Sequence, residues 1–460
     1  MDSPQPHAII ESWLHDFKYH ADFNQHDDPN YCVSAPETLI TSSTPVSFAL
    51  GTGSQILSST LSKCASTQYE LIIVTCFWAK SSSQEAICSL LLNLSAKAIS
   101  QNRKIQVRMC FSSRSIAQKL FQTSKIEGKI YPASLWVQLG LPSPKDLRGL
   151  EMVVKSVFVR PFCVMHPKFI LIDRKTAFMP SCNVSWENWF EGCVEMEGEI
   201  ARSLFEFWIN FWARGIAPLP PIPVDAEGFT VSEEDTTAMI KHIKFPPDSP
   251  APTTILLPSP HRINPHFSFF LSPKPPPTPL NIFLLNLLAN AQHSIFIQTP
   301  NLTSSPLISA LFLALQRGIN IHFITSSRLM ILEQLVTAGT ITEFEVWKLR
   351  RRYTRLLSHY HHKSKNPDPD PENPTQKPGE LSIGYYHSRK GGKVEEEPVK
   401  SHLKLVMVDG EVTVLGSGNM DRASWYTSQE LGVAFFSREM AGMIRECVDG
   451  GLEGRVEYVC

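Results

Sequence analysis

Two histidines, each two residues ahead of a lysine, are the side chains in this sequence best suited to chemistry. His166-Pro167-Lys168 is followed by four residues and then Asp173; His402-Leu403-Lys404 is followed by four and then Asp409. At a matched distance downstream stand Ser181 with Asn183, and Ser417 with Asn419. A lone His-x-Lys carries no weight. Two copies with matched downstream polar residues carry a great deal, because chance must then match many positions twice. The parts are those a phosphodiester displacement needs: a nucleophile, a proton for the leaving oxygen, and cations or donors around developing negative charge. One imidazole attacks phosphorus, and the other protonates the leaving alcohol and later deprotonates the incoming one. Lys168, Lys404, Asn183 and Asn419, with Ser181 and Ser417 beside them, would surround the nonbridging oxygens. No metal and no other cofactor is expected, since four such groups make a divalent ion unnecessary and the carboxylates lack clustered spacing.

A nucleophilic histidine also needs a carboxylate on its second ring nitrogen to fix the tautomer. Glu430, eleven residues past Asn419, is the candidate for His402. In the first half position 194 is valine, and Glu195 is the nearest carboxylate, with Glu191 and Glu197 as substitutes. Asp173 and Asp409 complete the motif set. Both stand where a turn begins, seven residues from the histidine, which favours a structural role.

The elements that must position these groups occur twice. Glu70–Thr75 is an apolar, β-branched run; a helical pattern follows around Gln84–Ser100, then a second strand over Lys104–Phe111. In the second half Ser294–Thr299 leads to a helix around Leu307–Arg317, ended by Gly318, and a strand over Asn320–Thr325. Strand, helix, strand implies parallel pairing with a right-handed crossover. Each motif falls in a hairpin: Lys168–Ile172 returns through Thr176–Met179, and Lys404–Val408 through Val412–Leu415. Residues i and i+2 on a strand share a face, so His166 is expected beside Lys168 and His402 beside Lys404. The expected division is an N-terminal tail over 1–49, a first lobe over 50–216, a proline-rich linker over 217–280, and a second lobe over 281–460. A polar Pro/Gly-rich insertion over 366–400 is expected to be disordered at least in part.

Composition narrows the function. With 43 Lys+Arg against 44 Asp+Glu, there is no global basic field of the kind that marks a nonspecific nucleic-acid binder. The basic run is local: Lys348, Arg350, Arg351, Arg352 and Arg355, then His359, His361, His362, Lys363 and Lys365. It reads as a solvated helix face or as a site for anionic lipid or nucleic-acid phosphates. The aromatic group Trp186, Trp189 and Phe190 reads as packing under the site or as a wall for substrate. Ten cysteines without paired spacing suggest reduced thiols in an intracellular compartment, cytoplasmic or peripheral on a membrane. No signal peptide is expected. The apolar stretch Leu280–Ile297 is broken by polar residues and reads as a core helix leading into a strand, so no transmembrane segment is expected.

The doubled pattern resembles the signature of the phospholipase D superfamily, H-x-K-x4-D-x6-G-S-x-N. The second copy matches throughout: His402, Lys404, Asp409, Gly416, Ser417 and Asn419, with Glu430 after it. The first matches except that Pro180 stands in place of the glycine. Gly416–Val433 looks most like the cardiolipin synthase and phosphatidyltransferase branch. The resemblance covers roughly 50–215 and 280–440. It implies an α/β fold of two related lobes (each α/β/α) with pseudo-twofold symmetry and one active site at their interface. It also implies metal-independent ping-pong chemistry through a phosphohistidine, with His166 as nucleophile and His402 as acid/base. The expected activity is a phosphodiesterase or phosphatidyltransferase on phospholipid at a membrane surface. Two alternatives stay open: a nuclease or nucleic-acid end-processing enzyme on the same fold, and a catalytically degenerate lipid-binding protein.

Overall fold

The run Glu70–Phe77 becomes a buried strand at the centre of the first half. A computed structural model describes residues 4–115, 118, 125, 127–159, 163–223, 239–260, 274–365, 376–389 and 397–460. Glu70–Phe77 pairs in parallel with Ile105–Ser113, which pairs in parallel with Leu150–Ser156. The crossover between the first two is helix Ser82–Ser100. Ser81 caps it by accepting from the Gln84 amide, and Ile87, Leu90, Leu91, Leu94 and Ala98 form its buried stripe. On its other side Glu70–Phe77 takes Phe169–Ile172, and then Thr176–Pro180, Trp189–Gly198 and Ile40–Gly51 follow, each antiparallel to the last.

The same strand order is met again in the second half. Ser294–Gln298 pairs in parallel with Asn320–Ser326, and that strand with Leu381–Tyr386. Across from these lie Leu405–Val408, Val412–Gly416, Glu430–Phe436 and Thr253–Ser259, again antiparallel in turn. Ile40–Ser42 pairs with Thr253–Ile255, so the two sheets join edge to edge. Lys241–Lys244 pairs with Ser47–Leu50 further along the first of these strands. The proline-rich stretch between the halves thus contributes two strands among its described residues; 224–238 and 261–273 lie outside them.

Residues 4–49 do not trail. Pro4–Tyr19 is a helix whose Ile9, Trp13 and Phe17, four apart, are buried. The Trp13 indole donates to the Pro279 carbonyl at 3.0 Å, and its ring meets Phe283 edge-on at 6.0 Å. Both partners belong to helix Pro279–Ala289, which leads into Ser294–Gln298 as the apolar stretch suggested. Ile40–Gly51 is a strand of the joined sheet. The segment 366–400 is also not one insertion. Residues 366–375 and 390–396 lie outside the described residues, but Leu381–Tyr386 between them is a strand buried along most of its length. Short and glycine-containing, it shows little in sequence; it forms because Asn320–Ser326 offers it a complete parallel edge. Among the described residues no helix is long and apolar enough to cross a membrane.

Candidate active site

Each hairpin begins one residue after its lysine, at Phe169 and Leu405, and leaves the His-x-Lys segment extended just before it. That segment is stitched to the opposite half. The His166 amide donates to the Gln429 carbonyl, and the His402 amide to the Phe190 carbonyl, both at 2.9 Å. The next residues along those receiving strands are Glu430 and Glu191. As a result, each imidazole meets a carboxylate from the other half. His166 Nδ1 lies 2.9 Å from both carboxylate oxygens of Glu430, and His402 Nδ1 lies 2.7 Å from Glu191 Oε1. Each carboxylate is held in turn by a serine of its own half. Ser417 Oγ donates to Glu430 at 2.5 Å and accepts from the Leu431 amide at 3.0 Å. Ser181 Oγ donates to Glu191 and accepts from the Gly192 amide at 2.9 Å.

Both rings line one cleft of about 220 Å³, with Asn183, Asn419, Trp189 and Glu430 among its walls. Trp189 lies over His402 with ring centroids 4.7 Å apart. The lysines are buried beneath. Lys168 Nζ donates to the His166 carbonyl at 3.0 Å, and Lys404 Nζ to the His402 carbonyl at 2.6 Å. Asn183 and Asn419 each keep a buried Oδ1 without a hydrogen-bond partner, and the Asn419 amide nitrogen donates to Asp421 at 3.0 Å.

Burial pushes both imidazoles below the ordinary histidine value, and His402 down to about 3; the adjacent lysines push the same way and the carboxylates oppose them. Burial raises Glu191 and Glu430, but the adjoining rings, lysines and serine hydroxyls outweigh it, and both carboxyls sit below the usual range. Burial, with Lys168 nearby, brings Lys404 down to about 7. The resting rings are therefore neutral and the carboxylates ionised. Only an N–H can meet an ionised carboxylate, so Nδ1 carries the proton and Nε2 keeps its lone pair. A neutral imidazole with a free Nε2 is a nucleophile or a base as it stands.

Residues 284–449, which hold the second motif, match the profile of a family described as "Cardiolipin synthase, PLD-like domain". Among solved structures, the fold is similar to that of a phosphatidylserine synthase from Haemophilus influenzae. The TM-score is 0.53 at 12% identity, over 96% of this chain and 92% of that one. Residues 284–449 thus match a phospholipase D-like domain family, and the chain shares the fold of that synthase. Weaker likenesses are to a polyphosphate kinase from Porphyromonas gingivalis (TM-score 0.45, 10% identity, 87% of this chain and 46% of that one) and to the phospholipase D family member Nuc from Salmonella typhimurium (TM-score 0.26, 13% identity, 44% and 96%). A comparison with curated proteins found no match.

Several of the expected site residues stand elsewhere than the sequence suggested. Glu430 serves His166 rather than His402. Glu195 meets neither ring: it pairs with Lys63 at 2.5 Å and accepts from Ser47 at 2.6 Å. Four residues along a strand carry it about 13 Å past Glu191. The glutamates are misaligned in sequence because Glu191 follows Ser181 by ten residues and Glu430 follows Ser417 by thirteen. The extra length holds the short helix Arg422–Tyr426. Of the two substitutes named for Glu195, Glu191 is the one that meets a ring. Ser181 and Ser417 spend their hydroxyls on the glutamates and the backbone, not on the cleft. Asp173 and Asp409 are at the far ends of their hairpin strands. Asp173 accepts from the amides of Gln68, Tyr69 and Glu70 at 2.7–2.9 Å, and Asp409 from those of Gln292, His293 and Ser294 over the same span. Each ties its hairpin to the start of the central strand. Pro180 ends its strand opposite Cys193, as Gly416 ends its own opposite Gly432. A Cβ on Gly416 would meet the Leu431 carbonyl at 2.3 Å, so the glycine is demanded there by a close backbone.

Proposed function

We propose that this chain is a phosphodiesterase or phosphatidyltransferase acting on phospholipids through a phosphohistidine, without need of a metal ion. The observation that carries the reading is the crossed pair of His–carboxylate contacts facing one cleft. His166 is assigned as nucleophile. Its Nε2 lone pair forms the N–P bond as the P–O bond to the leaving group breaks. His402, protonated, gives its Nε2 proton to the departing alkoxide. The incoming alcohol or water then loses its proton to His402, its oxygen attacks phosphorus, and the N–P bond breaks. A bound phosphate anion favours the proton on His402 that burial disfavours in the empty site. Lys168 and Lys404 supply positive charge close under both rings, and the amides of Asn183 and Asn419 supply donors.

The greater exposure of His166 (14%, against 4% for His402) supports its role as the ring that bonds to substrate. The family profile and the phosphatidylserine synthase fold support a lipid phosphodiester as substrate. The test is incubation with a panel of phospholipids, with and without ethanol, read by mass spectrometry. Phosphatidylethanol should appear with the wild type and be absent from His166→Ala and His402→Ala variants that retain the wild-type circular dichroism. Near-normal turnover in either variant, or cleavage of single-stranded DNA with no action on any lipid, refutes the reading.

A further inference from the structure

Beside the cleft the surface is built inside out. In helix Ile331–Ala338 the buried side chain is Gln334, while Leu332 (79% exposed), Leu335 and Val336 face solvent. Gln334 is fastened inward. Its amide nitrogen donates to the Leu329 carbonyl and to Asn301 Oδ1, and its oxygen accepts from the Thr342 amide and hydroxyl. Rolling the helix to bury its leucines would break all four bonds. Its two ends are also fixed, by Met330 and Gly339 in the left-handed region. Met330 and Glu333 line the cleft, so the apolar rim is continuous with the site.

Three residues further on begins helix Thr342–Lys365. Its first turns present Phe344 and Trp347, each about half exposed and stacked at 5.6 Å. Lys348 Nζ lies 4.6 Å from the Phe344 ring centre, and the Arg351 guanidinium 5.3 Å from that of Trp347. Arg350, Arg352 and Arg355 follow on exposed positions. The whole chain has a formal net charge of −1, so this concentration of cations is local. Apolar tips with cations one turn behind suit the headgroup layer of a membrane, where the tips enter the acyl boundary and the cations meet lipid phosphates. Nucleic acid would use the cations and leave the leucines wet.

We propose that helix Ile331–Ala338, with the start of helix Thr342–Lys365, docks the protein on an anionic phospholipid bilayer and seats the cleft over the headgroups. This rests on the lipid reading above for what the cleft then meets; the docking itself needs no turnover.

The test uses the full chain and sedimentation with phosphatidylcholine vesicles, with or without phosphatidylglycerol. Wild type should bind the anionic vesicles, and less so at high salt. The triple variant Leu332→Ser, Leu335→Ser, Val336→Ser should lose binding by about tenfold or more. Its turnover of vesicle lipid should fall alike, while turnover of a dispersed short-chain phospholipid stays unchanged. Vesicle binding that the triple variant retains, or that the wild type lacks, overturns the proposal. A wild-type dimer made monomeric by the triple change with vesicle binding intact, or single-stranded DNA bound in place of vesicles, overturns it as well. Vesicle binding lost in the variant, with no lipid turned over even by the wild type, upholds the docking and removes the catalytic reading.

Discussion

Glu430 and Glu191 lie on one strand each but act on the opposite half's histidine, and their removal should therefore separate the two half-reactions. With His166 as nucleophile, Glu430→Gln weakens the ring that forms the adduct. Glu191→Gln weakens the ring that manages protons for the leaving and entering oxygens. Turnover should fall by about 10² or more in both. In Glu430→Gln little phosphohistidine should be trapped by rapid quench with labelled lipid. In Glu191→Gln a substrate with a good leaving group should still load His166, and the adduct should persist. The opposite pattern would exchange the two roles. Much of this site was legible in the residues: the repeated His-x-Lys and Ser-x-Asn gave both rings and both amides. Glu430 and Glu191 were both among the candidates, but their pairing was not legible, because a partner supplied by the other half obeys no spacing from its histidine. The serines misled for a related reason: a hydroxyl conserved in position between two motifs tells nothing of which neighbour it faces.

At the scale of elements, the hairpins are oriented by what happens at their far ends. Asp173 and Asp409 both adopt positive φ, followed by Arg174 and Gly410 in the same region, and each carboxylate collects three amides from the start of a central strand. In the first hairpin the left-handed arginine is compensated by its bonds to Glu70 and by its guanidinium stacked 4.0 Å from the Phe205 ring centre. Asp173→Ala and Asp409→Ala should each lower stability by about 2 kcal/mol or more, since hydrogen bonds to a charged group are lost and amides are left unmatched. The urea midpoint should shift, and kcat of the protein that remains folded should stay within a few-fold of wild type. A collapse of kcat with an unchanged midpoint would give the aspartates a chemical role instead. Strand–helix–strand units and both hairpins could be read from apolar periodicity and turn residues. Helix Pro4–Tyr19 and strand Leu381–Tyr386 could not, because each is completed by a partner hundreds or tens of residues away: Trp13 by Pro279 and Phe283, Leu381–Tyr386 by the edge of Asn320–Ser326.

For the molecule as a whole, the two neutral histidines at the junction make stability depend on pH. Their values in the folded chain are depressed below 6.5 by burial. Above that pH the ring is neutral folded or unfolded, and its contribution to stability is fully present. As pH falls below 6.5, the unfolded chain takes up protons that the folded junction refuses, and stability declines toward the folded values. The urea midpoint should therefore drop between pH 7 and pH 5, and His402→Asn should flatten that slope. An unchanged slope would mean that the buried ring is already charged at pH 7.

The exchange of carboxylates across the junction bears on how such a chain could arise. One copy of the motif alone would present an imidazole lacking its acid and an acid lacking its imidazole, and would be inert. Two identical copies meeting face to face would cure both defects at once, so a self-associating ancestor of half the length could already be competent. Fusion would add no new chemistry. What it grants is the freedom for the halves to drift apart, as Pro180 against Gly416 and a spacing of ten against thirteen illustrate.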